Sequence, residues 1–213
     1  YLGTGFPVMK LDLSTTTPIA VTGAIGYNNR AIGVANTGAN KILYVVNQAN
    51  GQVGVFDSDN GTTFGLLEIL PASTTGPNFT HCVVPKPTNT GGDGDVIWGS
   101  RSGGNLERWS RVGGVWQQDF VSATGNIVGG DYVSVLGKDY VVGIGYRNSP
   151  VIRQVIFIID GDTGTIAGEW DPGLARTYND GNGDLTVVST GASTFDVYYG
   201  RSEHADFGKL SVA

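Results

Sequence analysis

The chain is poor in charge and nearly bare of the residues that build most metal and redox sites. Charged residues make up 15% of its 213 positions, and there are one Cys, one Met and two His. Cys82 stands alone, so no disulfide forms within the chain. Its setting in the apolar run His81-Cys-Val-Val84 predicts a buried small hydrophobe rather than a reactive thiol. With only His81 and His204, a three-histidine metal centre is excluded. No apolar run approaches the ~20 residues that a spanning helix needs, so membrane insertion is not expected. Lysine is confined to Lys10, Lys41, Lys86, Lys138 and Lys209, no basic stripe appears, and the net charge is -6. That balance works against nucleic acid, whose binding rests on Lys and Arg neutralising phosphates. No stretch keeps a helical period between caps, so almost no helix is expected.

Glycine, by contrast, is abundant at 34 residues, and it punctuates short apolar runs. Those runs repeat. One copy reads Ala31-Ile-Gly-Val-Ala, Ile42-Leu-Tyr-Val-Val-Asn, Gln52-Val-Gly-Val-Phe-Asp57, and the others begin at His81, Asp131 and Asp184, giving steps of 50, 50 and 53. A period of this length carrying four short strands is the mark of a β-propeller blade. The expected fold is therefore one all-β domain over 1–213, a propeller of four or five four-stranded blades or a piece of a larger one. A β-sandwich is the alternative, since strands at short spacing also fit it. In the third unit strands A to D are expected at about 131–136, 139–147, 153–160 and 165–170, with Asp160-Gly-Asp-Thr-Gly164 as the C–D turn. Before the first full unit, Pro7–Leu13 and Pro18–Val21 align with strands C and D, and the last unit supplies strands A, B and C.

Several segments resemble known propeller repeats. Ile158-Ile-Asp-Gly-Asp-Thr-Gly-Thr-Ile-Ala-Gly-Glu-Trp170 resembles the quinoprotein-type repeat, and Ile42–Asn47 with Val53–Asp57 is similar to the surface-layer repeat. Asp57-Ser-Asp-Asn-Gly-Thr-Thr-Phe64 is similar to the Asp-box of sialidase-like propellers, with Asp57 where Ser or Thr is usual. Asp180-Gly-Asn-Gly-Asp184 resembles the calcium loop of integrin-type repeats. Each motif occurs once. Together they imply the propeller superfamily and no single family's activity, because no catalytic residues of quinoproteins or sialidases have matching positions.

The most suggestive site pattern is a repeated arginine. Arg101, Arg147 and Arg201 each follow strand B of a unit, on the face where the B–C loops and the connections between blades lie. Three guanidiniums there would hold a glycan or a small anionic ligand such as a carboxylate, sulfate or sugar acid. Otherwise each caps a carbonyl or pairs with an acid of its own scaffold. Trp98 and Tyr146 flank them and could stack on sugar rings, although alternation along a strand turns about half of such residues inward. Asp180, Asn182 and Asp184 set oxygen ligands at alternate positions, as a Ca²⁺ site requires, or make an ordinary Asx-rich turn. Asp93 and Asp95 repeat that theme faintly.

These features favour a non-catalytic, lectin-like recognition module. A secreted hydrolase or lyase acting on polysaccharide, with His204 as general base, is the rival. A structural subunit of a surface or filament assembly, or another homo-oligomer, is the third reading. Tyr1 in place of Met, scarce Lys and many Thr, Ser, Asn and Gly fit a secreted or cell-surface protein or an excised fragment.

Overall fold

Val, Ile and aromatic runs of four to ten residues between Gly, Asn and Asp breaks form strands throughout, because β-branched and aromatic side chains pack well on a pleated surface. A computed structural model describes residues 9–12, 17–20, 29–36, 41–47, 49–58, 64–70, 77–101, 104–147, 151–173, 175–176, 185–201 and 206–213. Among them there is no helix. A hairpin of β1 (Met9–Asp12) and β2 (Thr17–Ala20) comes first. Blade I contains β3 (Asn29–Asn36), β4 (Lys41–Asn47), β5 (Val53–Ser58) and β6 (Gly65–Leu70). Blade II contains β7 (Cys82–Pro85), β8 (Val96–Ser100), β9 (Leu106–Val112) and β10 (Val115–Val121). Blade III contains β11 (Ile127–Val135), β12 (Lys138–Arg147), β13 (Ile152–Asp160) and β14 (Ile166–Trp170), with the short β15 (Ala175–Arg176) also bonded to β13. Blade IV contains β16 (Leu185–Ser189), β17 (Phe195–Arg201) and β18 (Asp206–Val212). All pairing is antiparallel between sequence neighbours, apart from β15.

The sheets meet through their first strands, in the order β3, β7, β11, β16. This is the four-blade propeller arrangement, not two facing sheets, so the sandwich is set aside. Three apolar clusters fill the three interfaces. Tyr44, Val46 and Val55 of blade I meet Val83, Ile97 and Trp109 of blade II. Trp98 and Leu106 meet Val141 and Phe157 of blade III, whose opposite face, with Ile144 and Tyr146, packs on Val197 and Tyr199 of blade IV. Cys82 is buried as expected, and burial pushes its thiol up to about 11.

Polar ties cross each interface. Tyr44 donates to Asp95 (2.8 Å), Trp98 Nε1 to the Gly161 carbonyl (3.1 Å), Ser100 to the Ile127 carbonyl (2.7 Å), and the Val187 amide to Asp131 (2.8 Å). At the two ends of the row, Ile32 and Val34 on β3 and Val188 on β16 are exposed on the sides turned away from the neighbouring blade.

Blade III shows how local sequence sets a turn. Asp160 Oδ1 accepts from the Asp162 and Thr163 amides at 3.0 Å each, and Gly164 takes φ 72°, which glycine adopts without strain. Lys138 Nζ lies 2.6 Å from the other oxygen. The Lys138 contact first, then the two backbone amides, hold the Asp160 carboxyl down at about 2. A depressed folded value means a contribution present above the unfolded carboxylate value near 3.9 and lost as pH falls toward 2. Thermal melts from pH 5 to 2 should therefore show Asp160→Asn with a shallower acid decline than the parent (a range bracketing both values). Identical slopes would contradict this account of the turn.

Candidate functional site

The three arginines occupy corresponding places at the far end of each second strand. Arg101 follows β8, while Arg147 and Arg201 end β12 and β17. Along β8, Ile97 faces blade I, so alternation directs position 101 toward the same interface. By the same counting, position 147 belongs to the II–III interface and position 201 to the III–IV interface. The two arginines with described side chains therefore do not share one cluster: Arg101 belongs to the I–II side and Arg147 to the II–III side. Glycines two residues before Arg101 and Arg147 let the incoming connection approach. A Cβ on Gly99 would stand 2.6 Å from the Cys82 carbonyl, and one on Gly145 would stand 2.7 Å from that of Asn126.

Neither described guanidinium is bare. Arg147 donates through Nε and Nη2 to Glu169 (3.3 and 2.7 Å) and through Nη1 to the Thr124 carbonyl of the preceding connection (3.1 Å). Its Cζ lies 4.9 Å from the Phe157 ring centroid. The Glu169 hydrogen bond holds its charge above the ordinary guanidinium value. Arg147 is therefore largely tied to its own blade, with one bond to the connection from blade II.

Arg101 is more open. Its side chain is 53% exposed, and Nη2 lies 3.6 Å from Glu107 Oε1. Glu107 is itself buried, and its Oε2 accepts from Trp109 Nε1 and Gln118 Nε2 at 3.0 Å each. A fixed acceptor thus sits beside a solvent-facing donor. The side chain of Arg201 lies outside the described residues.

Trp98 and Tyr146 are corrected as stacking platforms. Each is on the opposite parity from its neighbouring arginine, so alternation turns it into the next interface, where Trp98 is 0% and Tyr146 1% exposed. Sequence reasoning missed Glu107 and Glu169. A parity signal existed for Glu107, which pairs with Gly99 and shares a strand face with Trp109, two residues on.

Asp180, Asn182, Asp184 and His204 lie outside the described residues. Asp93 and Asp95 do not form a cation site. Asp93 accepts from the Gly114 amide (2.7 Å), and both Asp95 oxygens accept from Tyr44, Thr90 and Gly91. Among the described residues no group of three His, Cys, Asp or Glu could hold a metal. The described first strands carry one carboxylate, Asp131, which accepts from the Val187 amide and Thr186 hydroxyl.

No family model matches the chain, and no curated protein matches it in sequence. Solved structures do match in shape. A triple arginine-to-alanine variant of AofleA from Arthrobotrys oligospora superposes with TM-score 0.56 at 11% identity, over 85% of this chain and 53% of that one. The likeness is one of fold. An α-L-arabinofuranosidase from Clostridium thermocellum, CtGH43, gives TM-score 0.55 at 15% identity over 86% and 66%. A thermostable family-43 glycoside hydrolase gives 0.52 at 11% over 86% and 68%. The chain spans about half the length of AofleA and about two thirds of the two hydrolases.

Proposed function

We propose that the chain is a non-catalytic carbohydrate-recognition module, presented outside the cell, which binds glycans at blade interfaces on the B–C loop face. The observation that carries this reading is the Arg101–Glu107 pair. A half-exposed guanidinium beside an acceptor held by Trp109 and Gln118 offers a donor and an acceptor together, which suits adjacent sugar hydroxyls. Because the arginine already has a carboxylate at 3.6 Å, a neutral sugar is favoured over a sugar acid, whose charge Glu107 would repel.

Two of the similar folds are glycoside hydrolases by name, which supports a carbohydrate ligand. The AofleA variant replaces three evenly spaced arginines. Hydrolysis of polysaccharide is the reading that the family-43 neighbours favour, and release of reducing ends by the parent chain would replace ours.

The test is a glycan array. The parent should retain at least one neutral glycan, and Arg101→Ala should weaken it at least ~10-fold, equivalent to about 1.4 kcal/mol. Arg101 is exposed, so its loss should leave the melting temperature within about 2 °C. A parent that binds no glycan, or an Arg101→Ala chain that binds as well as the parent, would refute the proposal.

A further inference from the structure

Blade I ends its second strand on Asn47, where the other blades have an arginine. Asn47 is spent on its own loop. Its amide donates to the Gln52 carbonyl and its carbonyl accepts from the Gly51 amide, both at 2.8 Å, and its side-chain oxygen accepts from the Ala49 amide (3.1 Å). What the loop offers outward is a pair of side-chain amides. Asn50 Nδ2 donates to Gln52 Oε1 (2.8 Å), and Asn50 Oδ1 accepts from the Gln52 backbone amide (3.1 Å). Asn50 is exposed and Gln52 half-buried. A free amide side chain loses rotamer entropy when a ligand fixes it, and a locked one does not. Among the described residues, the second Asn50 Nδ2 hydrogen and the Gln52 Nε2 hydrogens carry no bond.

This loop adjoins the Arg101–Glu107 pair. The Gly51 carbonyl accepts from the Phe79 amide (3.1 Å), and the Phe79 ring closes on Gly99, where an added Cβ would meet it at 2.4 Å. Gly99 pairs with Glu107 and stands two residues before Arg101. The Thr80 and His81 amides then bond the Ser100 carbonyl (2.9 and 3.2 Å). Phe79 thus lies between the loop of blade I and the strand end that carries the arginine.

We propose that Asn50 and Gln52 form a second sugar subsite, continuous with the first, so that the ligand is a neutral glycan of at least two sugars. The subsite rests on the Arg101–Glu107 pair being the first. One sugar sits at that pair, and the next passes over the Phe79–Thr80 connection to the blade I loop, where the locked amides donate to its hydroxyls. A second sugar bearing a carboxylate would need a cation, and the loop from Asn47 to Gln52 holds none.

Isothermal titration calorimetry on the full chain tests this with methyl glycosides of galactose, mannose, glucose and arabinose, and with disaccharides ending in each. For a sugar that binds, the disaccharide should hold at least ~10-fold more tightly than the methyl glycoside. Gln52→Ala keeps the backbone turn, and Asn50→Asp keeps the Oδ1 acceptor while removing the Nδ2 donor. Each should weaken the disaccharide about 5-fold, the scale of one hydrogen bond, and leave the methyl glycoside unchanged. Arg101→Ala should weaken both ligands alike. A disaccharide no tighter than its methyl glycoside overturns the subsite and leaves the first site standing. Loop variants that spare the disaccharide, or that weaken both ligands equally, overturn it in the same way. A parent that binds none of these sugars, or an Arg101→Ala chain that keeps both affinities, overturns the first site and the subsite with it.

Discussion

Replacing Trp98 with alanine is expected to lower the stability of the chain by about 3–5 kcal/mol, the range for deleting a large aromatic from a packed core. Trp98 is wholly buried at the interface of blades II and III. Its ring stands 6.0 Å from that of Tyr132, and the Arg108 Cζ lies 5.8 Å from its centroid. Alanine removes the packing and also leaves the Gly161 carbonyl without its indole donor at 3.1 Å. Phenylalanine separates the two effects, since it keeps most of the apolar volume and loses only the donor. Trp98→Phe should therefore cost about 1–2 kcal/mol, the scale of one unmade buried hydrogen bond. Urea titrations would resolve both. A Trp98→Ala midpoint within error of the parent would contradict the burial described for this residue, and would reopen its assignment to a ligand face.

Replacing Asp95 with alanine is the second large effect, expected at about 2–4 kcal/mol from leaving buried donors unsatisfied. Asp95 is 2% exposed and gathers three donors: the Tyr44 hydroxyl at 2.8 Å, the Thr90 amide at 2.8 Å and the Gly91 amide at 2.9 Å. Asn89 closes the network by donating to Tyr44 (3.1 Å) and to the Val96 carbonyl (2.7 Å). Burial first, then the Asp95 charge, pushes the Tyr44 hydroxyl well above its ordinary value, so it stays a donor at any working pH. Tyr44 lies in blade I and Asp95 in the β7–β8 connection of blade II, so the contact joins two blades. Tyr44→Phe should cost less than Asp95→Ala, because the carboxylate keeps its two amide donors. The double variant should be less destabilised than the sum of the two singles. Strict additivity would show that the two groups do not act as a unit.

Much of the fold was legible in the sequence, because blade repetition is a long-period signal that survives local ambiguity. In the third unit the expected strands at 131–136, 139–147, 153–160 and 165–170 appear as Ile127–Val135, Lys138–Arg147, Ile152–Asp160 and Ile166–Trp170. The first begins four residues early because Gly129 and Gly130 read as a break, yet both pair with β12. The N-terminal hairpin and the three-stranded last blade also stand where the pattern placed them.

The site was only half legible. Period placed the arginines, but the carboxylates that meet them come from the third strand in one blade and the fourth in another. Glu107 opposes Gly99 in β8, whereas Glu169 lies in β14, opposite Phe157. No single spacing links both to an arginine. The aromatics misled for a related reason. Trp98 stands three residues before Arg101 and Tyr146 one before Arg147, and an odd separation along a strand means the opposite side of the sheet, which is why both ended in the core.

The proposed glycan site lies beside Arg101 and Glu107. The most direct measurement is a backbone amide chemical-shift titration of the chain with a neutral glycan retained on the array. Binding at the proposed site should perturb Ser100, Arg101 and Gly104 to Glu107, extend to Gln118, and leave the opposite-end turns at Gly113–Gly114 and Gly161–Gly164 unmoved. Shifts concentrated at those opposite-end turns, with Arg101 and Glu107 silent, would contradict it.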